Sequence, residues 1–140
     1  MNIASSFLLL LLAATLAGCS TTPMKLSEAS PIPPQHIYQY VSPTKDSGHL
    51  IIYRESGVVG SACEPDIYLN GTDVADSLAD GMRLDLFPPP ATYVLSMHSF
   101  CGNSTIELPV TVKAGETNVF EMGMRHGSFI LLPVQEPSAH

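Results

Sequence analysis

Residues 66–72 read Asp-Ile-Tyr-Leu-Asn-Gly-Thr, and this stretch decides the fold. Its first four residues form a short run of the kind that favours a strand. The Asn-Gly pair that follows tolerates the positive φ angles of a type I′ turn. We therefore expect a β-hairpin that reverses at residues 70–71 and returns over residues 72–77.

Similar short runs, separated by turn residues, occupy the chain on both sides of this hairpin. Proline and glycine are frequent, with 12 and 10 copies, and tryptophan is absent. Residues 105–112, 114–117 and 118–124 are interpreted as a strand, a turn and a returning strand. The pattern predicts an all-β fold, a small antiparallel β-sandwich of about seven strands. The remaining predicted strands cover residues 49–54, 66–69, 82–87, 92–97 and 128–134.

The charge balance excludes one class of partner. The formal net charge is -7, and the six basic residues are scattered along the chain instead of clustered. A nucleic-acid-binding protein needs a basic patch to contact phosphates, so no nucleic-acid partner is expected.

The N-terminal segment has the character of an export signal. Residues 7–17 form an almost unbroken apolar run, which is too short to cross a bilayer of about 30 Å as a helix. Its length suits the core of a signal peptide. Met1 to Ser6 contain no Lys or Arg, so the usual positive region before that core is missing.

The next residues, Leu16-Ala17-Gly18-Cys19, resemble the lipobox of bacterial lipoproteins. The resemblance implies that residues 1–18 are removed and that Cys19 carries diacylglycerol and palmitate, which attach the protein to a membrane. An ordinary signal peptide with a chance cysteine is the alternative. By the same resemblance, Ser20 in place of Asp favours the outer membrane, with the domain facing the periplasm.

The mature chain is predicted to have three parts. Residues 19–46 are rich in Ser, Thr and Pro, which indicates a flexible extended tether after the lipidated N-terminus. A short edge strand at residues 36–41 is a weaker expectation within it. Residues 47–135 form the β-sandwich and residues 136–140 a C-terminal tail.

The order of turn motifs in this domain resembles that of known surface modules. Gly60-Ser61-Ala62, the hairpin at residues 67–71 and the run at residues 112–117 are similar to a small bacterial lipoprotein family of unknown function. They also resemble PEGA-type carbohydrate-associated modules, although Pro90-Ala91 stands where those modules have Pro-Gly. The resemblance implies a fold and a surface location, and it supplies no catalytic residues.

Motifs for catalysis are missing from the sequence. It contains no nucleophile elbow, no His-Glu-x-x-His and no phosphate-binding loop, so the protein is predicted not to be an enzyme and to need no cofactor. A zinc or copper site formed by His98, Cys101 and Cys63 is a minor alternative. The acidic residues Asp73, Asp76, Asp80 and Asp85 do not have calcium-loop spacing and are interpreted as a solvated face of the hairpin.

Two cysteines, Cys63 and Cys101, remain once Cys19 is lipidated. The periplasm is oxidising, and a cysteine pair in a small exported domain is usually bonded, so we expect a disulfide between them. Two free buried thiols are the alternative.

Two function classes remain open. The first is a non-enzymatic module that binds an envelope protein or a glycan, or has a structural role, through loops or an edge strand. The second is a periplasmic protein that binds a small ligand, a glycan or a metal, or an enzyme, with its site between the sandwich loops.

Overall fold

The computed structural model describes residues 21–57, 61–101 and 105–135. These residues form nine strands in two sheets and two short 3-10 turns, at Leu26–Glu28 and Pro34–His36. The predicted all-β sandwich is confirmed, with nine strands in place of about seven. The strands are β1 (Ser30–Pro31), β2 (His49–Arg54), β3 (Asp66–Leu69), β4 (Thr72–Ala75), β5 (Met82–Leu86), β6 (Ala91–His98), β7 (Thr105–Val112), β8 (Thr117–Arg125) and β9 (Ser128–Val134).

The two sheets differ in strand direction. The four-stranded sheet, in the order β4-β3-β6-β7, is entirely antiparallel, as predicted. The five-stranded sheet has the order β1-β5-β2-β8-β9 and is mixed, because β1 runs parallel to β5 and β2 runs parallel to β8. The expectation of a wholly antiparallel sandwich was therefore wrong for this sheet.

The hairpin at residues 70–71 is confirmed. Asn70 and Gly71 have φ angles of 52° and 75°, as a type I′ turn requires. The Asn70 side chain also accepts a hydrogen bond of 2.8 Å from the backbone N–H of Val94, which fastens the turn to β6. The return strand ends at Ala75, two residues earlier than predicted, and Ser77 has a positive φ of 56°.

The second predicted hairpin, over residues 105–124, was wrong. β7 and β8 lie in different sheets, and the intervening residues cross from one sheet to the other. β8 pairs instead with β9 through a turn at His126 and Gly127, whose φ angles are 51° and 78°. Histidine is an unusual first residue for a type I′ turn, so the sequence gives only a weak indication of this hairpin.

The main core lies between the two sheets. β2 contributes Leu50 and Ile52, β5 contributes Leu84 and Leu86, and β6 contributes Leu95, all of them fully buried. Each such side chain stabilises the fold by about 1.5–3 kcal/mol relative to exposure in water.

Residues 21–40, before β2, do not form the extended tether that the sequence predicts, because Thr21, Ala29 and Ile32 are buried against the sandwich, whereas residues 41–46 are exposed. Ile51, Tyr53 and Val119 point away from the main core, and Ala29 covers them to form a second apolar cluster. The burial of apolar side chains on this outer face holds the proline-rich segment on the sandwich. Proline keeps the segment extended, and an extended segment can still pack on a sheet. The weakly expected strand at residues 36–41 is reduced to one β-bridge, between Ile37 and Ala75.

Four predictions concern residues outside the described ranges. They are the signal peptide at residues 1–18, lipidation at Cys19, sorting by Ser20 and the tail at residues 136–140.

Candidate functional site

One end of the sandwich gathers most of the polar contacts, and we call it the anchor end. It is the end at which β2 finishes with Arg54 and β8 with Arg125, and at which Asp66 opens β3 opposite His98 of β6. The opposite end carries the Asn70 turn. Both features described below, a clamp on the N-terminal segment and a groove, lie at the anchor end.

The first feature is the Thr21 clamp, formed by Thr21, Glu55, Met124 and Arg125. The backbone N–H of Thr21 donates to the Met124 carbonyl at 3.1 Å, and the Met124 N–H donates to Thr21 Oγ1 at 2.7 Å. The Thr21 hydroxyl in turn donates to the Glu55 carboxylate. Thr21 is buried, so these bonds are shielded from competing water.

The carboxylate in this clamp is held by a bidentate ion pair. Arg125 donates from Nη1 and Nη2 to the two oxygens of Glu55, each at 2.7 Å. Burial opposes ionisation of Glu55, but hydrogen bonds from Arg125 and Thr21 outweigh it and hold its pKa below the usual value. A Cβ at Gly123 would lie 2.7 Å from Glu55 Cδ, so only glycine leaves room for the pair.

Arg54, the residue before Glu55, points to the opposite side of the sheet and is 1% exposed. Its Nη1 donates to the carbonyls of Cys63 at 2.7 Å and Leu78 at 2.9 Å. Its guanidinium lies 5.4 Å from the centre of the Phe129 ring. Burial lowers the pKa of Arg54, while Asp80 and Glu64 oppose that shift. Arg54 therefore fixes two loops at the anchor end from inside the protein.

The predicted cysteine pair joins one of these loops, which carries Cys63, to the chain after β6, which carries Cys101. Cys63 and Cys101 are at disulfide distance, with their Cα atoms 5.7 Å apart. Sulfurs in that arrangement are bonded to each other and do not ligate a metal, which counts against the alternative site with His98. Within residues 21–57, 61–101 and 105–135, no group of three or more His, Cys, Asp or Glu side chains is placed to hold a metal ion.

The second feature is the acidic groove, a cavity of about 460 Å³ beside the cysteine pair. Glu64 and Asp66 line it from the chain after Cys63, and His98 and Phe100 line it from the chain before Cys101. Tyr68 also lines it, with its ring centre 4.7 Å from that of His98. Phe100 is 81% exposed, more than any other large apolar side chain of the described residues.

Carboxylates crowd this part of the surface. Burial raises the pKa of Asp66, and the nearby charges of Asp73 and Asp76 raise it further, with only partial relief from His98. Like charges held this close repel one another. The carboxylates of Glu64 and Asp66 therefore make the groove acidic, and the buried Arg54 is close enough to Glu64 to offset part of that charge.

The four acidic residues singled out in the sequence do not share one face. Asp76 accepts hydrogen bonds of 2.6 Å from His36 Nδ1 and from the Tyr38 hydroxyl. Asp85 lies in the other sheet, where His49 Nε2 is 2.8 Å away. The interpretation of one solvated hairpin face was therefore wrong. Sequence reasoning also missed Glu64, Asp66, Tyr68 and Phe100, because no spacing motif joins them.

The sheet edges are poorly suited to pairing with another chain. The outer strands β1, β7 and β9 contain Pro31, Pro109 and Pro133, and proline has no N–H to donate to a ladder. The outer side of β4 is covered by the chain at Ile37 and Tyr38. Of the predicted contact surfaces, the loops at the anchor end are more favourable than an edge strand.

Comparisons with family models, with curated proteins and with solved structures found no match. Among the residues that the structure describes, no helix has the length and apolar character needed to cross a membrane.

Proposed function

We propose that this chain is a lipid-anchored protein of the bacterial envelope whose β-sandwich is a non-enzymatic binding module. The sequence basis is the lipobox at Leu16-Ala17-Gly18-Cys19, and Ser20 favours the outer membrane, with the domain facing the periplasm. The resemblance to small bacterial lipoproteins and to PEGA-type modules stays a prediction.

The observation that carries the proposal is the fastening of Thr21 at the anchor end. Thr21 follows Cys19 by two residues and is already buried and bonded to Met124. Two residues of extended chain span about 7 Å at most. A lipid on Cys19 would therefore hold the anchor end close to the membrane surface, without the spacer that the sequence suggested.

The binding role is supported by the acidic groove. Its two walls come from the chain beside Cys63 and Cys101, and Arg54 fixes the Cys63 side from within. A site on a fixed support loses less conformational entropy when a partner binds. The exposed ring of Phe100 adds apolar area that a bound partner would remove from water.

Metabolic labelling with radioactive palmitate tests the anchor. Label is expected in the wild type and not in Cys19→Ser, which should also remain as uncleaved precursor. A Cys63→Ser, Cys101→Ser double variant is the matched control, because it lacks two cysteines but keeps the lipobox, and it should be labelled. Equal labelling of the wild type and Cys19→Ser would contradict the anchor.

Sucrose-gradient fractionation of the envelope tests the sorting. The protein should travel with porins of the outer membrane. Recovery with inner-membrane markers would contradict the role given to Ser20.

A further inference from the structure

We propose that the acidic groove binds one basic side chain, an arginine or a lysine, of a partner protein in the envelope. This deepens the binding role proposed above and is independent of the lipid anchor. It names the chemistry of the partner.

Charge complementarity is the first argument. Glu64 and Asp66 line the groove, and Asp73 and Asp76 lie close enough to act on Asp66. The two arginines at this end have other partners, because Arg125 is paired with Glu55 and Arg54 is buried beneath the loops, where it donates to backbone carbonyls. A cation entering the groove would be attracted to the carboxylates and would relieve their mutual repulsion.

The aromatic side chains supply the second argument. Tyr68, His98 and Phe100 line the same groove as Glu64 and Asp66, and the rings of Tyr68 and His98 have centres only 4.7 Å apart. A guanidinium or ammonium group is attracted to the face of an aromatic ring, and a guanidinium also stacks on it. Carboxylates together with ring faces thus match both the charge and the shape of a basic side chain.

The size of the groove limits the ligand. A cavity of about 460 Å³ lies in the lower half of the range for ligand sites, and it suits the end of one long side chain better than a chain of sugars. The protein has a formal net charge of -7, which favours encounter with a basic partner over an acidic one.

The test uses the full-length mature lipoprotein in detergent micelles. The probes are N-acetyl-arginine methylamide and its neutral isostere, N-acetyl-citrulline methylamide, titrated while the ring protons of Tyr68, His98 and Phe100 are followed by NMR. The arginine probe should shift these signals in a saturable way, with an affinity about tenfold higher than that of citrulline. Equal affinity for the two probes would overturn the proposal.

Single substitutions measure how much each side chain of the groove contributes to arginine binding. Glu64→Gln and Asp66→Asn should each weaken arginine binding about three- to fivefold. Phe100→Ala should weaken it about two- to fivefold, and this variant is not expected to disturb folding because the ring is exposed. Glu116→Gln is the matched control, since Glu116 is an exposed carboxylate at the opposite end, next to the start of β2 at His49.

Two further outcomes are decisive. Wild-type affinity for arginine in Glu64→Gln, Asp66→Asn and Phe100→Ala would place binding elsewhere and overturn the proposal. Tighter binding of N-acetylglucosamine than of arginine would show that the groove takes a glycan, and would also overturn it. Neither outcome depends on palmitate labelling, so failure here is distinct from failure of the anchor.

Discussion

Thr21 and Met124 exchange two hydrogen bonds, from the Thr21 N–H to the Met124 carbonyl and from the Met124 N–H to Thr21 Oγ1. They join residues 103 positions apart in the chain. The start of the described chain is therefore fastened to β8, a strand next to the centre of the five-stranded sheet. The sequence predicts a spacer after Leu16-Ala17-Gly18-Cys19. Because of this contact, the chain from Thr21 onward is instead part of the domain.

Replacement of Thr21 tests the clamp. Thr21→Ala removes the acceptor for the Met124 N–H and a donor to the Glu55 carboxylate, both of them buried. The free energy of unfolding should fall by about 1–3 kcal/mol, measured by urea denaturation. Thr22→Ala is the matched control, because Thr22 is exposed and bonds to Ser56 through its backbone. Its effect should stay within about 0.5 kcal/mol, and equal losses in both variants would contradict the clamp.

Two neighbouring aspartates should respond in opposite ways. Asp76→Asn removes a charged acceptor from His36 and Tyr38 and should cost about 1 kcal/mol at pH 7, since the site is partly exposed. Asp73→Asn should be neutral or stabilising, because burial and the charge of Asp76 raise the pKa of Asp73. Chemical denaturation at pH 7 measures both, and a larger loss for Asp73→Asn would contradict the assignment.

The same aspartate predicts a pH dependence. Burial alone would raise the pKa of Asp76, but hydrogen bonds from Tyr38 and His36 hold it below the usual 3.8. A carboxyl whose pKa is lowered by folding stabilises the protein above 3.8, and this contribution is lost as the pH falls through the lowered pKa. The stability difference between wild type and Asp76→Asn should therefore shrink below pH 3.8. A difference that stays constant from pH 7 to pH 2 would contradict this reasoning.

Replacement of Arg54 should lower the stability of the fold strongly. Arg54→Met keeps much of the side-chain volume but leaves the carbonyls of Cys63 and Leu78 without this donor, which predicts a loss of about 2–4 kcal/mol. Arg54→Lys retains a donor and should lose less. Thermal denaturation of both variants decides this, and unchanged stability in Arg54→Met would show that the two loops are held by other contacts.

The cysteine pair should be a stabilising disulfide. A link between residues separated by 38 positions restricts the unfolded chain by roughly 4 kcal/mol in the entropy model. Reduction should therefore lower the melting temperature. Alkylation of the unreduced, denatured protein should modify neither Cys63 nor Cys101, and two alkylated thiols detected by mass spectrometry would contradict the bond.

The strands were predictable because their periods and turns are local. The Asn70-Gly71 pair predicted one hairpin correctly, because those two residues accept the positive φ angles that the turn requires. The same reasoning predicted a wrong hairpin between β7 and β8, because a short turn-like stretch can also cross from one sheet to the other. Strand pairing depends on contacts distant in sequence, such as Leu50 with Asn118, and no local pattern reports them.

The candidate site was predictable only in part. The pairing of Cys63 with Cys101 could be predicted because the expected compartment is oxidising and because these two cysteines are the ones left if Cys19 is lipidated. The groove beside them depends on the approach of two loops, and Glu64 and Phe100 carry no motif of their own. The packing of residues 21–40 on the sandwich was missed because the strand register must be known before Ile51 and Tyr53 can be placed on an outward apolar face.

Amide hydrogen exchange of the mature protein is the decisive measurement for the proposal that the folded domain begins at Thr21, two residues after the proposed lipidation site Cys19. The N–H groups of Thr21, Thr22 and Ile32 donate to backbone carbonyls of the sandwich, so they should be protected well above the rates of an unstructured chain. Exchange of all three at unstructured rates, while β2 and β8 remain protected, would contradict the account and restore a free tether.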